Sequence, residues 1–266
     1  MKLGCSSMML AEPTITEKAR KLKTLGFDGI SVFINYANWN ETLLMEIVEL
    51  ESNTGIVPCE FVFSSSIYGH LMDPDRNIQE KSRRMYKDAA QISAMIGAVT
   101  ELEYACYAQD PLPLYQPYKK LDREGYEKFI EMYAELHEPL DGSNAYMLLE
   151  NLNRYESPFF NTLADCSEVV QDCGLSRAGV LADFFHMSIE ESDISQAIYS
   201  AGSLIKHVHL GDSNRLIPGR GFIDWKAGFD ALKKIGYNGY CCLECALLGN
   251  RDEDLKRAVS FLKPLM

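Results

Sequence analysis

No stretch of the sequence reaches the roughly 18 or more consecutive apolar residues expected of a membrane span, and the start, MKLGCSSMML, lacks the apolar segment and cleavage site of a secretion signal. A membrane partner is therefore not expected. Basic charge is scarce: 26 Lys and Arg face 38 Asp and Glu, for a formal net charge of -12 and a pI of about 4.9. An acidic surface repels a phosphate backbone unless a local basic stripe overcomes it. The densest basic runs, KARKLK and KSRR, lie on patterns that read as exposed helix faces, so no nucleic-acid partner is expected. Cysteines are not dense either. The eight (Cys5, Cys59, Cys106, Cys166, Cys173, Cys241, Cys242 and Cys245) are scattered over 266 residues, unlike a small disulfide scaffold, which points to reduced thiols in a cytoplasm. Linkers and low-complexity segments are missing too, so residues 1–266 read as one domain.

What the chain does have is alternation. Apolar, β-branched runs read as strands near Leu3–Ser7, Gly29–Ile34, Ile56–Ser64, Val99–Cys106, Tyr146–Leu152, Gly179–Phe185, Ile205–Gly211 and Tyr240–Ala246, each followed by helix-like spacing. The first helix opens on a capping box, Thr14-Ile15-Thr16-Glu17, buries Ile15, Ala19 and Leu22 on one face, and stops at Gly26. LKTLGFDGI (Leu22–Ile30) and LKKIGYNGY (Leu232–Tyr240) repeat one grammar of helix end, stop glycine, aromatic, turn and strand. Eight strand-helix units in about 250 residues predict a single (β/α)8 barrel, a TIM barrel. An open doubly wound sheet is the alternative, and the lack of a Gly-x-Gly-x-x-Gly after the first strand weakens its dinucleotide-binding version.

In such a barrel the reactive groups sit at the carboxyl ends of the strands. Four successive strand ends carry groups able to converge: Glu150, Asp183, His209 and Glu244, spaced 33, 26 and 35 residues apart. Three carboxylates and one imidazole at a common depth would repel one another without a cation. Oxygen-rich ligands with one histidine suit one divalent ion such as Mn²⁺, with Mg²⁺ or Co²⁺ as alternatives. A single carboxylate at a strand end is more often a helix cap or salt-bridge partner, and it is the set of four that argues for a site. Cys242 and Cys245 are spaced like zinc ligands, but a strand points them to opposite faces and no second pair exists. They read as structural. His207 shares a strand face with His209, deeper in the barrel, and His70 and His137 read as surface or packing residues.

The segments LENLNRYESPFFNT, ADFFHMSIEES and HVHLGDSNRLIPGRGFIDW resemble the sugar isomerase/epimerase superfamily with the xylose isomerase-like barrel. Within it they look like the ketose 3-epimerases of the D-tagatose/D-allulose (psicose) 3-epimerase type. The strong matches run from about Tyr146 to Ala246. The resemblance implies that Glu150, Asp183, His209 and Glu244 are the metal ligands and that Glu150 and Glu244 are also the acid/base pair. It implies that His186 and Arg215 contact the substrate's oxygens, that Glu156 engages its first hydroxyls, and that the protein is a homo-oligomer. The reaction implied is removal of a proton beside a carbonyl, through an enediolate, and its return to the other face. Two departures stand out. Strand two reads ISVFINY where the group commonly carries a terminal carboxylate, and strand four ends LEYACYAQ where a glycine-rich ending is usual.

Other readings of the same site are a hydroxypyruvate isomerase-like or inosose dehydratase-like enzyme, a non-catalytic sugar or metal sensor and, least favoured, an endonuclease IV-like repair enzyme. The resemblance implies a ketose as substrate, free or phosphorylated. Loops after strands seven and eight often grip phosphate in barrels, which would enlist Arg220 of Leu216–Gly221. The plainer reading of that loop is a Pro/Gly turn before a helix capped by Asp224.

Overall fold

A computed structural model describes the whole chain, Met1–Met266. The strands are β1 (Lys2–Ser6), β2 (Gly29–Asn35), β3 (Val57–Ser64), β4 (Val99–Leu102), β5 (Tyr146–Glu150), β6 (Ala178–Asp183), β7 (Ile205–Leu210) and β8 (Tyr240–Leu243). All pair in parallel with their neighbours in chain order, and β1 also pairs with β8, so the sheet closes into the expected barrel. The connecting helices are α1 (Ile15–Leu25), α2 (Glu41–Val48), α3 (Leu50–Thr54), α4 (Arg76–Ile96) and α5 (Arg123–His137). They continue with α6 (Leu163–Cys173), α7 (Phe184–Glu190), α8 (Ile194–Ala201), α9 (Trp225–Lys234) and α10 (Arg251–Leu262).

Local chemistry sets these boundaries. At α1 the Thr14 hydroxyl accepts from Glu17 N at 3.2 Å while the Glu17 carboxylate accepts from Thr14 N at 3.3 Å, the reciprocal pair that the motif anticipates. Gly26 ends the helix at φ +90°, a conformation that costs a side-chain-bearing residue strain. The inner stripe of Ile15, Ala19, Leu22 and Leu25 is buried. KARKLK lies on α1 and KSRR on α4.

At the mouth the strands end sooner than the apolar pattern suggests. β4 stops at Leu102 rather than Cys106, β5 at Glu150 rather than Leu152, and β8 at Leu243 rather than Ala246. The register of β4 with β5 ends at Leu102 and Leu149, and β3 and β4 share only the pair Glu60 and Val99, at the start of β4. Strand six ends at Asp183 rather than Phe185 for a local reason. The Asp183 carboxylate accepts from Phe185 N at 2.7 Å and His186 N at 3.3 Å, which starts α7 at once.

Candidate metal centre

The four strand-end groups meet. Ligand atoms of Glu150, Asp183, His209 and Glu244 all lie within 4.8 Å of one another. Register does much of this work: Asp183 pairs directly with His209 across β6 and β7, and His209 pairs with Cys242, two residues before Glu244. Nδ1 of His209 is 3.4 Å from Glu150 Oε1, 3.5 Å from Glu244 Oε2 and 4.0 Å from Asp183 Oδ2. Asp183 therefore serves both as cap and as site residue, with Oδ1 on the helix and Oδ2 toward the cluster.

The other ring nitrogen of His209 explains the orientation. Nε2 is 3.0 Å from Glu60 Oε2, at the base of the site on β3. With Nε2–H donating to Glu60, Nδ1 is turned toward the three carboxylates, the arrangement that sharpens a metal-ligating imidazole. His207 Nε2 lies 3.6 Å from the same Glu60 oxygen. Burial alone would raise the Glu60 pKa, but His209 and His207 pull it to about 2. Burial works against a charged His209, yet Glu60 and Glu244, with Glu150 close by, push its pKa well above the usual imidazole value.

This cluster wants positive charge. Oε1 of Glu150 and Nδ1 of His209 are buried with no hydrogen-bond partner, a condition that buried polar atoms in folded proteins rarely tolerate. Three carboxylates and an imidazole with unpaired atoms facing one point fit a hard divalent cation. Arg215 supplies part of the charge: Nη1 donates to Asp183 Oδ2 at 2.7 Å and Nη2 to Glu244. Its guanidinium lies 4.7 Å from the Phe185 ring centre, and its backbone takes the left-handed φ of +56°. Burial raises the Glu244 pKa, with Glu150 and Asp183 adding to the rise while His209 and Arg215 oppose it.

The remaining expected residues line the same cavity of about 260 Å³. His186 Nδ1 accepts from the backbone N–H of Asn153 at 3.1 Å, which leaves the proton on Nε2, 3.9 Å from Asp183 Oδ2. Glu156 Oε1 accepts from the Asn153 side chain at 2.8 Å. Asn153 thus aims two pocket residues at once. Arg154 turns away and grips fully buried Glu190 through Nε at 2.9 Å and Nη2 at 2.7 Å, tying the loop after β5 to α7. Arg220 is exposed. Its loop folds around buried Asp212, which accepts from Gly219 N at 2.7 Å and Trp225 Nε1 at 3.0 Å, while Asp224 caps α9. A larger depression of about 730 Å³ between α4 and α5 is unconnected with these groups.

Sequence reasoning missed Glu60, Glu101 and Glu103. All three are buried, and the signal was a charge inside an apolar strand: PCEFVF for the first, TELEY for the others. Glu60 pairs in register with Ser31, near the start of β2, whereas the end of β2 carries Asn35 opposite Ser64, so no carboxylate stands at the end of strand two. Burial, with Glu150 close by, pushes Glu101 and Glu103 well above the carboxylate range. His207 and Cys242 belong to the barrel interior, with Cys242 Sγ 3.4 Å from Cys59 Sγ, and His137 is buried with Nε2 accepting from Arg177 N at 3.0 Å.

Residues 19–265 match the family described as the xylose isomerase-like TIM barrel. Among characterised relatives, D-psicose 3-epimerase of Ruminiclostridium cellulolyticum is 28% identical over 225 residues, 84% of this chain and 75% of that one. 3-Dehydro-D-guloside 4-epimerase of Escherichia coli is 28% identical over 250 residues, 92% of each chain. The crystal structure of D-psicose 3-epimerase with D-tagatose from Clostridium cellulolyticum superposes with a TM-score of 0.83 at 24% identity, covering 100% of this chain and 99% of that one.

Proposed function

The chain belongs to the xylose isomerase-like TIM barrel family, and from that premise we propose that it is a metal-dependent ketose 3-epimerase. The observation that carries this reading is the convergence of Glu150, Asp183, His209 and Glu244, with Glu150 Oε1 and His209 Nδ1 left unpaired at its centre. The 3-epimerase relatives give the chemistry its direction.

These four residues would hold one divalent ion, Mn²⁺ by preference, which when bound supplies Lewis-acid stabilisation worth several kcal/mol to charge building on the sugar oxygens. Epimerisation also needs two proton carriers on opposite faces of the sugar. Glu150 at the end of β5 and Glu244 just past β8 approach from separated parts of the wall. One takes the proton from the carbon beside the carbonyl, and the other returns a proton to the opposite face. His186, its Nε2 proton fixed by Asn153, and Arg215 act as donors to the oxygens where charge develops. Glu156, held by Asn153, engages the hydroxyls at the near end of the sugar.

One observation favours a second reading, a keto-glycoside 4-epimerase that runs the same chemistry one carbon along. The E. coli 4-epimerase and this chain align over 92% of both lengths. Ketohexoses, ketopentoses, their phosphates and 3-keto-glucosides offered to Mn²⁺-loaded protein separate the two. Epimers of the free ketoses support the first reading, and turnover confined to the keto-glycosides replaces it with the second. Aldose or dehydrated products would instead indicate an isomerase or dehydratase.

We also read residues 1–266 as one working domain in a cytoplasmic homo-oligomer. All eight cysteines are free, no helix is long and apolar enough to cross a membrane, and Leu112, Leu114, Tyr115 and Tyr118 are exposed along one loop. Light scattering on the purified chain would test the assembly.

A further inference from the structure

Glu101, at the penultimate position of β4, and Glu103, just past its end, stand two residues apart, the spacing that puts side chains on one face. Both are about 3% exposed, and one oxygen of each lies within 4.8 Å of the other and of Glu150. Three buried carboxylates so close cannot all ionise without a counter-charge. Arg215, which lines the same cavity, is already bonded to Asp183 and Glu244. Tyr68 donates its hydroxyl to Glu101, but Oε2 of Glu103 is buried without any partner. An unpaired carboxylate oxygen in that position is a ligand atom in waiting.

We infer that Glu101, Glu103 and Glu150 hold a second divalent cation beside the first, with Glu150 shared between them. The all-oxygen donor set selects a hard ion of the Mg²⁺ or Mn²⁺ class, its remaining positions filled by water from the adjoining cavity. Ions that share a carboxylate in two-metal centres sit roughly 3.5–4 Å apart. The inference rests on the first four-residue set being a metal centre. The proton-transfer role of Glu150 then belongs to the singly loaded state, because the second ion takes up its other oxygen.

The test is calorimetric titration of chelator-stripped protein with Mn²⁺, combined with electron paramagnetic resonance at saturation. Two ions per chain and the spectrum of a coupled pair are expected for the natural chain. The Glu101→Gln/Glu103→Gln double variant should bind one ion with an uncoupled spectrum. Glu103→Gln alone, the milder change if the double variant folds poorly by circular dichroism, should weaken the second binding event at least about tenfold. One ion in the natural chain would overturn the inference and leave the first centre standing, with protons satisfying the strand-four carboxylates. Two ions retained by the folded variants would overturn it as well. No binding at all would remove both centres.

Discussion

The two halves of the barrel mouth are built from the same repeated unit but end differently. β5, β6 and β7 reach the mouth with Glu150, Asp183 and His209, and Glu244 follows β8 directly. β1, β2 and β3 close on Ser6, Asn35 and Ser64, and the acids of the first half are buried, Glu60 and Glu101 inside their strands and Glu103 just past β4. Glu60 does not join the four-residue cluster but backs it, accepting from the far nitrogen of His209. The second half supplies the four-residue cluster, while the first backs it through Glu60 and walls the same cavity with Glu101 and Glu103. A barrel can therefore concentrate its chemistry on one arc and still depend on the whole ring for geometry.

The sharpest way to break this comparison is to remove a proton carrier from the second half. Glu150→Gln or Glu244→Gln should lower kcat by about 10²–10⁴-fold, the usual worth of a positioned acid or base. Circular dichroism should remain that of the folded chain, and near-normal turnover in either variant would dismantle the two-carboxylate scheme.

Next in size is a structural effect in the same half. Arg154→Ala leaves fully buried Glu190 without the guanidinium, with only the backbone N–H of residue 154 still donating to it. Breaking a buried pair from one side costs about 3–5 kcal/mol. Denaturant unfolding should show a loss of that order, whereas a shift below about 1 kcal/mol would mean that the pair behaves like a surface bridge.

The first half is probed by Glu60→Gln, which leaves His209 in place but weakens the acceptor behind it. Metal affinity should fall about 10–100-fold, and the KM for sugar with only the four-residue centre filled should change far less. Equal metal affinity in the variant would separate the two halves entirely. Smallest of all is Arg220→Ala, on the exposed loop outside the cluster. Turnover of a free ketose and of its phosphate should both stay within about twofold, since an exposed arginine left unpaired contributes little. A selective loss of phosphate turnover would make Arg220 a binding residue.

The same contrast explains what was legible in the sequence. Glu150, Asp183, His209 and Glu244 recur at intervals of about one strand-helix unit, and a repeat in sequence becomes a ring in space. The capping box at Thr14 and the stop at Gly26 were equally readable, because both are local. The strand ends were not, since an apolar pattern continues past the residue where pairing stops, as at Leu102. Nor was Glu60. Its partners His207 and His209 lie nearly 150 residues away, and only closure of the barrel brings β3 against the base of the site. Asn153 was hidden for a different reason. Its work is to orient His186 and Glu156, and an amide that holds two side chains leaves no spacing to detect.

The most direct test of the central claim follows a ketohexose in D₂O by proton NMR, with chelator-stripped protein and again after Mn²⁺ is restored. The account predicts that the C3 epimer appears only in the presence of metal and carries deuterium at C3, the mark of a proton taken by one carboxylate and returned by another. Metal-independent conversion, or deuterium entering at C1 with an aldose as product, would contradict it.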